Sequence, residues 1–404
     1  MYLEIPKKFN PIVHQARQVA QEVFRPISRK YDRAEHAYPK ELDLFASLMD
    51  GMNDGAADGG TGAGKISRSG SADRNGNANT NGINMKTVLG MIEICRGDVG
   101  LALSIPRQGL GNAAIAAVAN EEQLERLGNT WAAMAITEPG AGSDSGAIRT
   151  TATKDGDDYL INGEKIYITA GERADAIVVW ATLDRSKGKA AIKSFVVEKG
   201  TPGMTVERLE KKLGIRASDT AAVRFENCRV PKENLLGSPE ISVGKGFAGA
   251  MQTFDNTRPV VAAMSLGVAL AALEKTREIL GKNGLDLSYQ TQAWTQPAVT
   301  RELQFLEAEL EAARLLTMRA AWMADNGHPN SKEASMAKAK AGRVGNAITL
   351  RCVELCSSLG YSETELLEKW ARDSKILDIF EGTQQIQLLI IARRLLGKSS
   401  AELK

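Results

Sequence analysis

Short β-branched segments fill the middle of this chain, and regions of helical spacing lie on both sides of them. Residues 131–240 contain runs such as DYLINGEKIYIT and AAVRFENCRV, which are bounded by turn residues as strands usually are. Elsewhere, apolar residues recur at intervals of three or four, as they do along one face of a helix. This order indicates the α+β class, and 404 residues are more than one compact core usually holds.

Three domains follow from this pattern. We predict a helical N-terminal domain over residues 1–130, a compact antiparallel β domain over 131–240 and a C-terminal helical bundle over 241–404. One apolar stripe in the predicted bundle comprises Leu303, Leu306, Leu310, Ala313, Leu316 and Ala320. In the β domain, the pair Asn162-Gly163 lies between apolar runs and predicts a hairpin turn.

Two further segments bear on the architecture. Residues 50–82 are rich in Gly, Asn, Ser and Asp and have almost nothing apolar to bury, so they predict a mobile loop. The longest nearly unbroken apolar run, residues 260–273, is shorter than the roughly 20 residues that a membrane span needs. We therefore predict a buried core helix there and no membrane span.

Composition and the N-terminal residues argue against several functions. A net charge of +2 gives no basic excess for binding nucleic acid. The first residues, MYLEIPKKFN, lack the apolar segment of a secretory signal. The three histidines are scattered in polar contexts, so a Ser–His–Asp mechanism has little support.

Two of the four cysteines, Cys352 and Cys356, would share one face of a helix. This spacing suits helical packing or half of a metal site, and packing is favoured because no histidine accompanies them. We expect a protein without a bound metal. The small number of cysteines and the absence of a recognisable secretory signal favour a reduced, cytoplasmic protein.

Residues 136–144 read ITEPGAGSD and lie where helical spacing gives way to strands. Pro139, Gly140 and Gly142 favour an irregular backbone that can approach a ligand closely. Thr137 and Ser143 supply hydrogen-bonding side chains beside them. An ordinary surface loop explains this segment equally well when it is taken alone.

Tyr167 and Thr169 alternate along the segment INGEKIYITAG, so they would point to the same side of a strand. An aromatic face beside a small hydroxyl suits a flat ring system with polar edges. Ordinary packing between neighbouring strands accounts for the pair equally well.

Glu381 lies in an apolar setting in the segment DIFEGTQQIQ, directly after Ile379 and Phe380. Thr383 is a good N-cap for the helix that follows, and Gly397 can end that helix. Apolar surroundings raise the pKa of a carboxyl group, whereas a helix N-terminus opposes this and also attracts phosphates and carbonyls. Glu381 is either a surface carboxylate favoured by the helix dipole or a general base that bound substrate desolvates.

Five features, taken in order, resemble the acyl-CoA dehydrogenase family over residues from about 85 to 397: the segments TEPGAGSD, YITAG, FDNTRPVVAA and RDSKILDIFEGTQQIQ, and the helix–β–helix layout. The resemblance implies an all-α N-terminal domain, a β-barrel or sandwich and a C-terminal four-helix bundle. It also implies FAD as cofactor, an acyl-CoA thioester as substrate, an electron-transfer flavoprotein as acceptor and a role in fatty acid β-oxidation.

In that family the flavin ring lies between the β domain and the C-terminal bundle. By position, the resemblance assigns cofactor contacts to Met134, Ile136, Thr137, Ser143, Tyr167, Ile168, Thr169, Thr383 and Gln385. Tyr167 replaces a commoner tryptophan. Substrate contacts fall on Ser143, Asp255, Arg258 and Gly382. Glu381 matches the base of the medium- and short-chain members; relatives with the base on an earlier helix carry it at the position of Thr257, which cannot serve.

The implied reaction explains the setting of Glu381. A proton α to a thioester carbonyl is too weakly acidic for a solvated carboxylate, so the site must polarise the carbonyl, exclude water and raise the pKa of its base. Glu381 would take this proton while a hydride leaves the β-carbon for the flavin. The product would be a trans-2-enoyl-CoA.

The chain departs from the family pattern where relatives contact the cofactor of a neighbouring subunit. It has no Arg-x-x-Phe-Gly segment after the helix that ends near Leu280, and no arginine between Arg277 and Arg301. Glu354 stands for a family glutamine and Ser357-Ser358 for a pair of glycines, and an acidic residue would repel a pyrophosphate. A heterodimer or heterotetramer with a paralogous subunit is therefore predicted, and otherwise a homotetramer.

Other interpretations remain open at this stage. An acyl-CoA oxidase-type flavoenzyme would share the same motifs, and the chain could also be a non-catalytic subunit of a heteromeric acyl-CoA dehydrogenase. The acyl group is equally open, since fatty, branched and steroid side-chain thioesters all fit the pattern.

Overall fold

The structure is a computed structural model that describes residues 5–46, 82–107, 110–241, 248–292, 294–399 and 402, without the side chains of residues 248–256. The predicted mobile loop at residues 50–82, except for Gly82, lies outside the described residues. The order is helical, then β, then helical, as the sequence predicted, and the α+β class is confirmed.

The described part of the N-terminal region is mainly helical, and its last helix ends at Leu127. Its helices include α1 Asn10–Val19, α2 Arg25–Arg33, α3 Ile83–Cys95, α4 Val99–Ala102, α5 Leu110–Val118 and α6 Glu121–Leu127, with a π-helical segment, Ala20–Phe24, between α1 and α2. Local caps explain two of the starts. Asp98 accepts from the Leu101 backbone N–H at 2.8 Å, and Asn120 and Gln123 form a capping box at α6.

Seven strands form one curled sheet in the middle of the chain. They are β1 Ala132–Ala135, β2 Thr151–Asp155, β3 Asp158–Thr169, β4 Ala176–Thr182, β5 Ile192–Glu198, β6 Met204–Leu209 and β7 Thr220–Val230. The order is β1-β4-β2-β3-β7-β6, with β5 paired to β4. Most pairs are antiparallel, but β4 runs parallel to β1 and β2 because the chain reverses direction twice between β2 and β4.

The predicted hairpin turn at Asn162-Gly163 is wrong. Both residues lie inside β3, and the β2–β3 turn falls at Gly156 and Asp157. Gly163 instead marks a β-bulge against β7, with φ of 152°. A Cβ atom there would lie 2.8 Å from the Thr150 Cα atom, so a close approach between backbones is what requires this glycine.

The C-terminal helices are α7 Ala248–Lys282, α8 Ala298–Asp325, α9 Ser331–Leu355, α10 Ser357–Tyr361, α11 Leu367–Ser374 and α12 Gln384–Leu396. The predicted apolar stripe of α8 is confirmed, since five of its six residues are buried and Leu316 is partly buried. Cys352 and Cys356 are buried too, as helical packing requires. The N- and C-terminal helices share one continuous apolar core, whereas the sheet encloses a second.

The apolar segment of α7 lies in that shared core. By length and composition Thr257–Lys282 could cross a membrane, with a mean hydropathy of 1.3, but 78% of its apolar window is buried inside the protein. This burial confirms the predicted core helix at residues 260–273.

All three regions meet at α11, which precedes the segment that carries Glu381. Its buried Lys369 lies between Asp98 of the N-terminal region and Asp373, at 2.7 and 2.5 Å. Asp373 also accepts from the Ile215 backbone N–H of the middle region at 2.6 Å. Because these charges are buried and paired, breaking one pair would be costly, and α11 is held firmly relative to the other regions.

Candidate active site

Glu381 lies in a left-handed turn between a 3₁₀ segment, Lys375–Asp378, and α12. Its φ is 56° and that of Gly382 is 89°. A left-handed conformation is unfavourable for a side chain such as glutamate and persists where surrounding contacts impose it. The Gln387 Nε2 atom supplies two of these contacts, donating to the carbonyls of Glu381 at 3.1 Å and Gly382 at 3.0 Å.

The carboxylate of Glu381 is partly buried and accepts a hydrogen bond from the Thr257 Oγ1 atom at 2.6 Å. Burial raises its pKa above the ordinary value, while the Thr257 hydrogen bond and the charges of Arg258 and Lys338 act in the opposite direction. A carboxylate with these properties can act as a general base, and the surface interpretation of Glu381 loses its support.

Lys338 of α9 is fully buried and donates to the Gly382 carbonyl oxygen at 2.7 Å. Burial lowers its pKa to about 8, against the charges of Asp378 and Glu381, which raise it. Arg258 is 4% exposed, and its charge also lowers the pKa of Lys338. The base is therefore surrounded by two cations and a hydroxyl, all contributed by α7 and α9.

The start of α12 agrees with the sequence. Thr383 is the N-cap and its Oγ1 atom accepts from the Ile386 backbone N–H at 3.4 Å, and Gly397 ends the helix with a left-handed φ of 65°. Gln385 is exposed. The Oε1 atom of Gln384 is buried and has no hydrogen-bond partner among the described residues, which suits a polar ligand at this helix end.

A second group of predicted site residues lies in the middle region. The segment after β1 forms a tight turn in which Glu138 and Ala141 exchange two backbone hydrogen bonds of 3.1 Å. The buried Lys165 of β3 donates to the Ile136 carbonyl at 3.0 Å and to Glu138 at 2.8 Å. The Thr137 carbonyl accepts from the Ile166 N–H at 2.9 Å, so this turn lies beside Tyr167.

Tyr167 and Thr169 are both more exposed than the residue between them. Tyr167 is 64% exposed and Thr169 partly exposed, whereas Ile168 between them is fully buried. The bulge between Lys165 and Ile168 gives Tyr167 a φ of 57°. A large ring left exposed beside a hydroxyl fits a planar ligand better than it fits packing between strands, since such packing would cover the ring.

The remaining predicted residues differ in exposure. Met134 is partly buried and Ile136 is buried. Ser143 is exposed in the turn after β1. The side chain of Asp255 lies outside the described residues.

Sequence reasoning missed the residues that hold the two turns: Glu138, Lys165, Thr257, Lys338 and Gln387. Thr257 cannot be a base, yet it is the hydrogen-bond donor to the base. The sequence did contain a signal for Lys338. In the segment MAKAKAG, this lysine lies on a helix face whose other residues are small and apolar.

The residues present fit FAD on structural grounds. An exposed aromatic face at Tyr167, a neighbouring hydroxyl at Thr169 and a helix N-terminus at Thr383 are the kinds of group that bind a flat ring with polar edges. They do not require a metal.

Two family models match the chain. The middle domain of acyl-CoA dehydrogenases matches residues 133–228, and the C-terminal domain of acyl-CoA dehydrogenases matches residues 244–396. Together with the helix–β–helix order and the candidate base before α12, these matches define the class. The chain belongs to the acyl-CoA dehydrogenase family.

Individual proteins similar to this chain are named as members of the same family. The short-chain specific acyl-CoA dehydrogenase of rat mitochondria (Rattus norvegicus) is 42% identical over 67% of this chain, a match that spans 64% of the rat protein, just under two thirds. The short/branched chain specific enzyme of Bos taurus mitochondria is 36% identical over 93% of this chain and 83% of its own length. The structure of butyryl-CoA dehydrogenase from Megasphaera elsdenii aligns with a TM-score of 0.83 and 30% identity, covering 98% of this chain and all of that one.

Proposed function

We propose that this protein is an FAD-dependent acyl-CoA dehydrogenase that converts an acyl-CoA thioester to the trans-2-enoyl-CoA. The observation that carries the proposal is Glu381, a partly buried carboxylate with a raised pKa, held in a left-handed turn and hydrogen-bonded to Thr257. Electrons would pass on to an electron-transfer flavoprotein, and the cytoplasm is the proposed compartment.

Each group of residues has a separate task in this proposal. FAD, when bound, supplies the group that accepts the hydride from the β-carbon. Tyr167, Thr169, Thr137 and Thr383, with Met134, Ile136, Ile168, Ser143 and Gln385, would hold it. Glu381 takes the α-proton at its carboxylate, and bound substrate would exclude water from this partly buried base.

The substrate is proposed to be a short or branched acyl-CoA. The support is that the relatives reported above are named for short, branched and butyryl substrates. Ser143, Arg258, Gly382 and Asp255 are the proposed contacts. A scan of acyl-CoAs of increasing length and branching with an artificial electron acceptor tests the choice, and a steroid side-chain thioester as preferred substrate would overturn it.

Replacement of Glu381 by glutamine tests the proposed mechanism. We expect Glu381→Gln to keep FAD and to lower turnover about 100-fold or more, because glutamine cannot take a proton. The matched control is Glu363→Gln, which changes an exposed carboxylate paired with Arg33 and should turn over like the wild type. A Glu381→Gln protein with a near wild-type rate would end the assignment.

A hetero-oligomer with a paralogous subunit is part of the proposal. Glu354 carries its charge on the surface beside Arg351, and Ser357 has a φ of 51°, a conformation that favours glycine. Arg277, the last arginine before the departing segment, donates to Glu307 at 2.6 Å. These contacts support a chain that does not donate an arginine to the cofactor of a neighbour.

Cofactor content tests this assembly. We expect the protein produced alone to bind much less than one FAD per chain, and co-production with a paralogous dehydrogenase subunit to raise the content. Absorbance at the flavin bands and the mass of the purified complex measure both quantities. Full occupancy in a homotetramer would refute the hetero-oligomer without affecting Glu381, and rapid turnover with dioxygen alone would indicate an oxidase.

A further inference from the structure

We propose that Lys338 is a positioning residue for the base: it fixes the left-handed turn of Glu381 and Gly382 through the Gly382 carbonyl and supplies the positive charge that keeps Glu381 ionised. This inference rests on the proposed function for its kinetic meaning. Its structural basis is independent of that function, because it depends only on contacts within the C-terminal helices.

The contact is specific. Lys338 is fully buried, and its Nζ atom donates at 2.7 Å to the carbonyl of Gly382, the residue directly after the base. A buried ammonium loses its hydration and needs a strong acceptor or a nearby anion. One hydrogen bond to a carbonyl meets that need only in part, so the position of Lys338 is better explained by what it does for the turn.

The face of α9 around Lys338 is shaped for this segment. One helical turn further on, Gly342 faces Asp378, and a Cβ atom at Gly342 would lie 2.9 Å from the Asp378 Oδ1 atom. The missing side chain therefore lets the 3₁₀ segment approach α9 closely. With Asp378 held close, the turn at residues 381 and 382 lies within reach of Lys338.

The charges around Lys338 favour an effect on the base. Arg258 of α7 and Lys338 of α9 both lower the pKa of Glu381, against the burial that raises it. Asp378 is the other carboxylate whose charge raises the pKa of Lys338. The charges of Arg343 and Lys375 in turn lower the pKa of Asp378. Removal of the Lys338 charge leaves Arg258 as the one cation whose charge offsets the burial of Glu381 among the described residues.

Gln387 allows the two tasks of Lys338 to be separated. It donates to the same Gly382 carbonyl at 3.0 Å but carries no charge. Replacement of Gln387 by methionine removes one fixing contact and leaves the charges unchanged. Replacement of Lys338 by methionine removes a contact and a charge, and replacement by glutamine removes the charge while retaining a donor.

The experiment measures the pH dependence of turnover and, separately, the ionisation of Glu381 itself. The infrared carboxylate band of ¹³C-glutamate-labelled protein, taken as a difference against Glu381→Gln, gives the pKa of Glu381 without any turnover. We expect Lys338→Met and Lys338→Gln to move this pKa, and the ascending limb of the kcat profile, upward by about one pH unit. Gln387→Met should lower kcat and leave both unmoved.

Lys340→Met is the matched control. It lies two residues further on α9 and pairs at the surface with Glu309, so neither the limb nor the band should change. An unmoved infrared band and an unmoved ascending limb in either Lys338 variant would overturn the proposal. So would failure of both variants to fold and hold as much FAD as the wild type prepared in the same way, because Lys338 would then be purely structural. If Glu381→Gln retains full turnover, the proposed function fails, yet the infrared band still decides the effect of Lys338.

Discussion

Two buried lysines hold the two groups of candidate site residues, and they differ in how their charge is balanced. Lys165 donates to the Ile136 carbonyl and pairs with the buried carboxylate of Glu138 at 2.8 Å. Lys338 donates to the Gly382 carbonyl but has no ion pair among the described residues, where Asp378 and Glu381 act on it through their charges alone. Burial lowers the pKa of each to about 8.

This difference indicates a structural role for Lys165 and a role in the proposed proton transfer for Lys338. Glu138 is satisfied by Lys165 and by donors from Arg149 and Thr150, and its pKa stays low despite burial, so the pair is ionised and closes the turn after β1. At Lys338, the two carboxylates that act through their charges are Asp378 and the proposed base, and neither forms an ion pair with it among the described residues. A base tied into a tight ion pair would have a low pKa and would be a poor proton acceptor, so a distant cation suits the proposed role better.

Loss of the Lys165 charge is expected to have the largest effect on stability. Lys165→Met leaves Glu138 buried without its cation, which costs about 3–5 kcal/mol of the free energy of unfolding, because an uncompensated buried charge is strongly unfavourable. Chemical denaturation of the FAD-free protein, followed by circular dichroism, measures this change.

The double variant Lys165→Met/Glu138→Gln tests the reason. It removes both charges while the amide oxygen can still accept from Thr150, so part of the lost stability should return. Lys232→Met serves as control, because Lys232 pairs with Asp157 in exposed positions and contributes little. A double variant as unstable as the single one would show that lost packing, and not the charge, explains the effect.

The sequence predicted the fold well because its signals are local. Helical spacing in α8 and β-branched runs in the middle region are properties of neighbouring residues, and the structure confirms both. The predicted hairpin at Asn162-Gly163 was wrong because it, too, was based on a local signal. Gly163 could either form a turn or allow the backbone of Thr150 to approach closely. The outcome depends on a segment that is distant in sequence, and no local pattern reports it.

The candidate site shows the same limit. Glu381, Thr383 and Tyr167 were predicted because an acidic residue in apolar surroundings, an N-cap and an alternating aromatic are visible in the sequence. Lys338 and Thr257 were missed because their roles exist only once α9 and α7 pack against the turn before α12. Contacts between residues 44 and 124 positions apart cannot be read from spacing.

Replacement of Lys338 by methionine should have the smallest effect on stability at neutral pH, and its pH dependence is the more informative quantity. The folded-state pKa of Lys338, about 8, lies below its ordinary value of 10.5, so the folded protein binds fewer protons than the unfolded chain between these values. The penalty that Lys338 imposes on folding is therefore complete below pH 8 and disappears as pH rises toward 10.5.

Lys338→Met removes that penalty, while Gln387 still donates to the Gly382 carbonyl, so at pH 7 the variant should match the wild type or exceed it, within about 1 kcal/mol in either direction. As pH rises from 8 to 10.5, the wild type should gain stability relative to the variant, whereas Lys340→Met should run parallel to the wild type. A loss at pH 7 as large as that of Lys165→Met would erase the distinction between the two lysines. The expected outcome, a lysine that the fold does not need but the base does, would mean that its charge is retained for the proton transfer at Glu381.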